Sequence, residues 1–259
     1  MKPVERVLTA ISHKEPDRVP IILGASNATG IKIEAFNRFR NHRGLGAVED
    51  DSPKNYLYFW RSLGTALPDE PGFEILHSDV RPVLDREPKA VMERDIARKP
   101  GEEHHYIDSW GCNYYHCHPL SSAQTPEDVA AYKGWPDPDD MTRYVGVRET
   151  ARRVWDEGKF AVMGTPWLLF PFERAFALQG MEVFLESLAA RPEMAAALLR
   201  KNLEICQGIM GHFLEECGQN IHIIKIGDDL GTQNSLLMSP AMYRRTLKPI
   251  HRDLIQFIK

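Results

Sequence analysis

Four short apolar runs stand out along the chain, at residues 18–23, 73–80, 160–164 and 221–226. Between them lie longer stretches in which apolar residues recur every three or four positions. The first kind of pattern predicts buried strands and the second amphipathic helices. Val4, Val7, Leu8 and Ile11 predict a helix over 2–12, and Ile31, Ile33, Phe36 and Phe39 one over 30–45. Further helices are expected over 55–66, 142–157 and 172–190. A long one opens at Pro192, where Leu199, Leu203, Cys206, Met210, Phe213 and Cys217 form one apolar face.

Local signals sharpen some boundaries. Thr125-Pro126-Glu127-Asp128 pairs an N-cap threonine with proline in the first turn and an acid three residues on, and Ser239-Pro240 repeats the logic. Residues 104–122 alternate aromatic and polar side chains, which predicts a hairpin-like excursion. The acidic, proline-rich link at 135–140 reads as internal, so residues 1–259 are expected to form a single domain. Strands separated by helices assemble as parallel βαβ units. The expected fold class is therefore α/β, with adjacent parallel strands and outer helices.

Composition narrows the function classes. A net charge of -4 gives no electrostatic case for nucleic acid or an anionic membrane surface. No run of about 18 apolar residues is present, so no membrane-spanning segment is expected. Glu5, Arg6 and His13 interrupt the N-terminal stretch, which does not read as a signal peptide. The cytoplasm is the default compartment, and Cys112, Cys117, Cys206 and Cys217 read as reduced structural thiols.

Candidate chemistry gathers where apolar runs end. Asp228-Asp229 follow the run at 221–226; at a strand's tip such acids bind a cation, hold a water or fix a cationic ligand, or else one of them caps a neighbouring helix. Asp79 ends the run at 73–80 in the same fashion. Gly164-Thr165-Pro166-Trp167 follows the third run; glycine permits close backbone approach, and tryptophan offers an aromatic wall. These residues are expected to converge at the C-terminal ends of a parallel sheet. His116 and His118 alternate as on one strand face, a spacing compatible with metal ligation but with no third ligand in sight. No phosphate-binding loop, dinucleotide fingerprint or nucleophile elbow occurs.

Taken together, Arg6-Val7-Leu8-Thr9-Ala10, the segment His13-Lys14-Glu15-Pro16-Asp17-Arg18-Val19-Pro20, Gly164-Thr165-Pro166-Trp167 and Gly227-Asp228-Asp229-Leu230-Gly231-Thr232-Gln233 resemble the uroporphyrinogen decarboxylase superfamily. The resemblance implies a (β/α)8 barrel, of which this sequence supplies about four strands, the N-terminal half, as in a truncated chain. It implies a catalytic role for Asp79, and a substrate-binding role for Gly164, Trp167, Phe172, Asp228 and Asp229, with Phe172 at or near the position of a catalytic tyrosine. The true decarboxylases carry arginines after the first strand, whereas residues 24–31 here read Gly-Ala-Ser-Asn-Ala-Thr-Gly-Ile. A polycarboxylate without cationic partners is costly to bury. The expected activity is therefore that of the methyltransferase branch, which moves methyl groups between corrinoids and small thiols or methyl donors. Porphyrinogen decarboxylation and a non-catalytic scaffold role are the alternatives. Zinc and a corrinoid are the implied cofactors of the intact protein, with the zinc motif beyond residue 259 and no metal ligand within this chain. A small-molecule substrate, a corrinoid protein and a second copy of the chain are the implied partners.

Overall fold

The computed structural model describes residues 1–48, 65–96, 107–113, 116–166 and 170–259. Their elements in chain order begin with α1 (Pro3–Ile11), β1 (Ile31–Lys32), α2 (Ile33–His42), β2 (Thr65–Ala66), α3 (Glu70–Ile75), β3 (Val80–Val83) and α4 (Lys89–Ile96). Next come α5 (Pro126–Ala131), α6 (Val147–Glu157), β4 (Ala161–Gly164), α7 (Pro171–Gln179) and α8 (Met181–Ala190). The last are α9 (Pro192–Cys217), β5 (Ile223–Ile224) and α10 (Pro240–Ile258). The chain forms two compact units, each assembled from three separate stretches. One comprises Met1–Met92, Thr142–Trp167 and Phe213–Lys225; the other comprises Glu93–Met141, Leu168–His212 and Ile226–Lys259. None of the described helices is long and apolar enough to cross a membrane.

The first unit holds a three-stranded parallel sheet in the order β3-β4-β5. Val80 pairs with Ala161, Val83 with Gly164, and Met163 with Ile223. Side chains alternate across a strand, so Val80, Ala161 and Met163 share one face, where they bury with Val7 of α1, Phe73 of α3 and Ala25. The α1 helix forms because Pro3 suits its first turn, Glu5 accepts from the Lys2 amide (2.9 Å), and Val4 and Val7 recur on one side. That side packs on β3 and β4. Helix α6 lays Val147, Ala151 and Val154, spaced by four and three, against the same strands. Among the described residues the sheet has these three strands and does not close into a barrel.

Three strand expectations change here. Residues 18–23 form no strand: Pro20 has no amide to donate, and the Ile21 amide goes to the Asp79 carboxylate (2.8 Å). The run at 73–80 begins inside α3, which Asp69 caps by accepting from the Gly72 amide (3.0 Å), and the strand starts only at Val80. The run at 221–226 contributes two ladder residues, because the His222 ring Nδ1 takes the Val162 amide (3.0 Å) that a longer ladder would use. Burial lowers the His222 pKa, keeping that nitrogen free to accept.

The second unit is helical. The expected helix over 172–190 is two, α7 and α8, because Gly180 adopts φ +87° and ψ 138°, a conformation closed to side-chain-bearing residues. Phe172, Phe176 and Phe184 bury their rings around the break, with centroids 4.5–6.0 Å apart. Burying each such ring is worth about 1.5–3 kcal/mol. Helix α9 runs unbroken, and Thr125 and Ser239 cap α5 and α10 as their sequences predict. Over 104–122 the described residues show an isolated antiparallel bridge, Asn113 to Cys117, and no hairpin strands. The expected helix over 55–66 falls mostly outside the described residues; its last two positions form β2, which pairs antiparallel with β1.

Candidate functional site

Asp79 stands at the N-terminal end of β3, the opposite end from that expected. Its carbonyl accepts from the Ala161 amide at the start of β4 (3.0 Å), whereas at the other end of the pair the Thr165 amide donates to Val83 (2.8 Å). The side chain is 1% exposed. One oxygen accepts from Arg6 Nη1 (2.6 Å) and Arg18 Nη2 (2.9 Å), the other from Arg18 Nη1 (2.8 Å) and the Ile21 amide (2.8 Å). Arg6 also grips Asp17 at 2.6 and 2.8 Å. Those bonds hold the Asp17 carboxyl well below the usual range, and together with Asp79 they raise the Arg6 guanidinium further. In this arrangement Asp79 ties α1 and the 18–21 segment to the foot of the sheet. In barrel architectures that end is associated with stability, and chemistry gathers at the opposite one.

At the C-terminal ends of β3 and β4 the structure shows groups that sequence reading missed. Asp85 and Glu87, both buried, face the buried Arg143 guanidinium at 3.9 and 3.7 Å. Thr165, also buried, directly follows β4. A cleft of about 350 Å³ opens beside β3, with Asp69, Glu70, Arg81, Asp85, Arg86 and Arg153 among its lining residues. Arg81 holds the Glu70 carboxyl below its ordinary pKa and lays its guanidinium 3.4 Å from the centre of the Phe160 ring. The cleft carries both signs of charge and lies at the small end of the usual range for ligand sites. The signal that could have found it was Asp85-Arg86-Glu87, obscured because Arg81 and Pro82 disguise the strand before it.

Gly164 ends β4 as expected, but its lack of a side chain serves packing. A Cβ there would stand 2.6 Å from Ile224 Cδ1 and 2.9 Å from Phe213 Cε1. Phe172 is fully buried, so its ring belongs to the core and is not exposed to a substrate. Trp167 lies outside the described residues.

Asp228 and Asp229 behave differently from each other. Helix α7 begins with Phe170 at its N-cap, which has no side-chain oxygen to offer its first amides. Asp228 supplies both: Oδ2 accepts from the Phe172 amide (3.2 Å) and Oδ1 from the Glu173 amide (2.9 Å). Its side chain is 2% exposed, and Oδ2 also meets His251 Nε2 at 2.8 Å. The capping alternative is thus the one seen for Asp228, with a histidine added that the sequence did not suggest. Asp229 is exposed.

His116 is exposed, while His118 sets Nδ1 2.8 Å from the Ala177 carbonyl. Among the described residues no three His, Cys, Asp or Glu side chains converge as a metal site would require. Cys112, Cys206 and Cys217 are buried and Cys117 is half-buried. Burial pushes the Cys206 and Cys217 thiols up to about 12 and Cys112 higher still. Thiolate is the reactive form, so a native-state iodoacetamide reaction at neutral pH is expected to label Cys117 alone. Peptide mass mapping before and after denaturation checks this; native labelling of Cys206 would contradict it.

No protein-family model matches the chain, and no curated protein matches it. Among solved structures it is similar to a methyltransferase from Methanosarcina mazei, with a TM-score of 0.59 and 16% identity over 100% of this chain and 68% of that one. At such identity the likeness is one of fold.

Proposed function

We propose that this chain belongs to an enzyme of the methyl-transfer type, acting on a small molecule such as a thiol in partnership with a methyl-carrying corrinoid protein. The observation that carries the reading is the whole-chain likeness of fold to a methyltransferase. The sequence resemblance, with its arginine-free segment at 24–31, points the same way. That segment is a tight turn in which the Ser26 carbonyl accepts from the Thr29 amide (3.1 Å), with Ala25 and Ser26 buried. It offers no cation to a polycarboxylate.

Within this reading the residues named from sequence take two kinds of role. Asp79, Gly164 and Phe172 hold the scaffold in shape. Asp229 and the neighbourhood of Asp228 are where a substrate would be met, at the loop that follows β5. Zinc needs a convergent ligand set, which the described residues do not offer, so no step is assigned to it. A corrinoid would supply the carried methyl group, and no residue here is assigned to bind it.

The test uses the intact protein supplied with zinc, together with a ¹³C-methylated corrinoid and a small thiol. Appearance of a ¹³C-methyl thioether, dependent on the chain, is the expected result; its absence across thiol and amine acceptors would remove the reading. Uroporphyrinogen is expected to remain unchanged under the same conditions. Coproporphyrinogen formed well above the uncatalysed rate would favour decarboxylation instead.

A further inference from the structure

The cleft beside β3 has no part in the methyl-transfer reading. It is bounded by the residues that open α3 and by Thr150, Arg153 and Val154 of α6, and all of its lining lies within the first unit. Its volume of about 350 Å³ limits an occupant to a small molecule. Its formal charges cancel, Asp69, Glu70 and Asp85 against Arg81, Arg86 and Arg153. Such a lining exerts no net pull on a plain anion or cation, yet it attracts a molecule that carries both charges. Pro68, Phe73, Pro82 and Val154 add apolar surface.

The bonding of these charges shows which of them a ligand can engage. Glu70 is taken up by Arg81, from Nε at 2.8 Å and Nη2 at 2.5 Å, while Arg81 Nη1 donates to the Ser78 and Val80 carbonyls. Asp85 faces Arg143. Asp69 differs: the Gly72 amide and Arg40 Nη1 both bond its Oδ1, and Oδ2 accepts nothing among the described residues. Arg153 bonds through Nη1 alone, to Glu157 at 3.2 Å, which leaves Nε and Nη2. The two side chains are 43% and 62% exposed, so a solute reaches both. Arg81 chiefly holds the Glu70 carboxyl below its ordinary pKa, and Arg153 adds to the pull, so the α6 cation lies within electrostatic reach of the α3 acids.

We propose that this cleft binds a free amino acid with an aliphatic side chain, its ammonium at Asp69 Oδ2 and its carboxylate at Arg153. Nε and Nη2 form the side-on fork of a guanidinium, which matches a carboxylate bidentately. An ammonium brings three donors and no acceptor, the complement of an open carboxylate oxygen. The aliphatic side chain covers the apolar part of the lining. This site goes beyond the methyl-transfer reading and does not rest on it. The substrate position given above belongs to the loop after β5, which is part of the other unit.

The experiment is calorimetric titration of the full chain with L-valine, and with isobutylamine and 3-methylbutanoate, which lack its carboxylate and its ammonium in turn. L-Valine is expected to bind, and each analogue to bind about tenfold more weakly, the loss of one charged hydrogen-bonded contact. Arg153→Gln and Asp69→Asn should each weaken L-valine binding by about tenfold as well. Asparagine keeps an oxygen for the Gly72 amide and Arg40, so the cap on α3 stays in place. Arg153 is exposed, so its replacement leaves the fold intact. Arg152→Gln removes the same charge from α6 at a position outside the cleft and should bind L-valine as the wild type does. No binding of L-valine, an analogue that binds equally well, unchanged affinity in both cleft variants, or an equal loss in Arg152→Gln would each overturn the proposal.

Discussion

Asp79→Ala is expected to destabilise the protein by about 3–5 kcal/mol, the usual cost of breaking a buried ion pair from one side. That is a large part of the roughly 5–15 kcal/mol that separates folded from unfolded domains. The loss is large because one carboxylate satisfies two guanidinium groups and a backbone amide. Removing it leaves the buried Arg6 with one of its two carboxylate partners, Asp17, and takes from the Ile21 amide its acceptor. Urea unfolding with a lowered midpoint and an unchanged slope is the expected signature. Asp17→Asn, which removes the more exposed partner of Arg6, should cost clearly less. The alternative, a catalytic Asp79, makes the opposite forecast: stability nearly intact and activity lost. Unfolding curves that superimpose on the wild type would therefore refute the framework role.

Arg174→Met is expected to cost a similar amount, about 3–5 kcal/mol, for a related reason. Arg174 is fully buried in α7, donates from Nη1 to Asp108 Oδ2 at 2.5 Å, and lies 4.5 Å from the centre of the Trp110 ring. Asp108 Oδ1 meanwhile accepts from the Trp110 and Cys112 amides (2.9 and 3.0 Å) and shapes the turn there. Without the arginine a buried carboxylate would face hydrocarbon. Adding Asp108→Asn removes that stranded charge while keeping an oxygen for the amides. The double variant should therefore be more stable than Arg174→Met alone. Urea titrations followed by tryptophan fluorescence measure both, since Trp110 and Trp135 sit edge to face 6.2 Å apart. A double variant less stable than the single would count against the charge argument.

Much of the helical layout was legible because capping is a local event. Thr125 with Asp128, and Ser239, bond amides three or four residues away, so a few letters suffice. Asp69-Glu70-Pro71 carries the same signal for α3, and the apolar run behind it concealed this. Strand β3 was misplaced by several residues because Arg81 and Pro82 argue against a strand in isolation. Arg81 is tolerated only because Glu70 and the Phe160 ring receive it, and Pro82 because β3 is the edge of the described sheet. These are tertiary facts that no window of sequence contains. The same holds at the candidate site. Apolar runs drew attention to Asp79 and Asp228, but what each carboxylate binds lies far along the chain. Arg6 stands 73 residues from Asp79, and His251 stands 23 from Asp228. His251 could have been suspected only by asking which residue on the next amphipathic helix faces the loop, and Pro249 and Tyr243 gave no such hint.

The interleaving of the two units also sets a timetable for the nascent chain. Neither unit is a contiguous stretch, and the sheet is joined by pairings as distant as Val80 with Ala161 and Met163 with Ile223. On a ribosome adding about 5–20 residues per second, the foot of β3 emerges roughly 4–16 s before the start of β4. During that interval Arg6, Arg18 and Asp79 can already find one another, whereas Val80 and Phe73 have no β4 to lie against. Loop-closure entropy then slows each distant pairing. Slower translation would lengthen the wait, with the apolar residues of α3 and β3 left uncovered until β4 arrives.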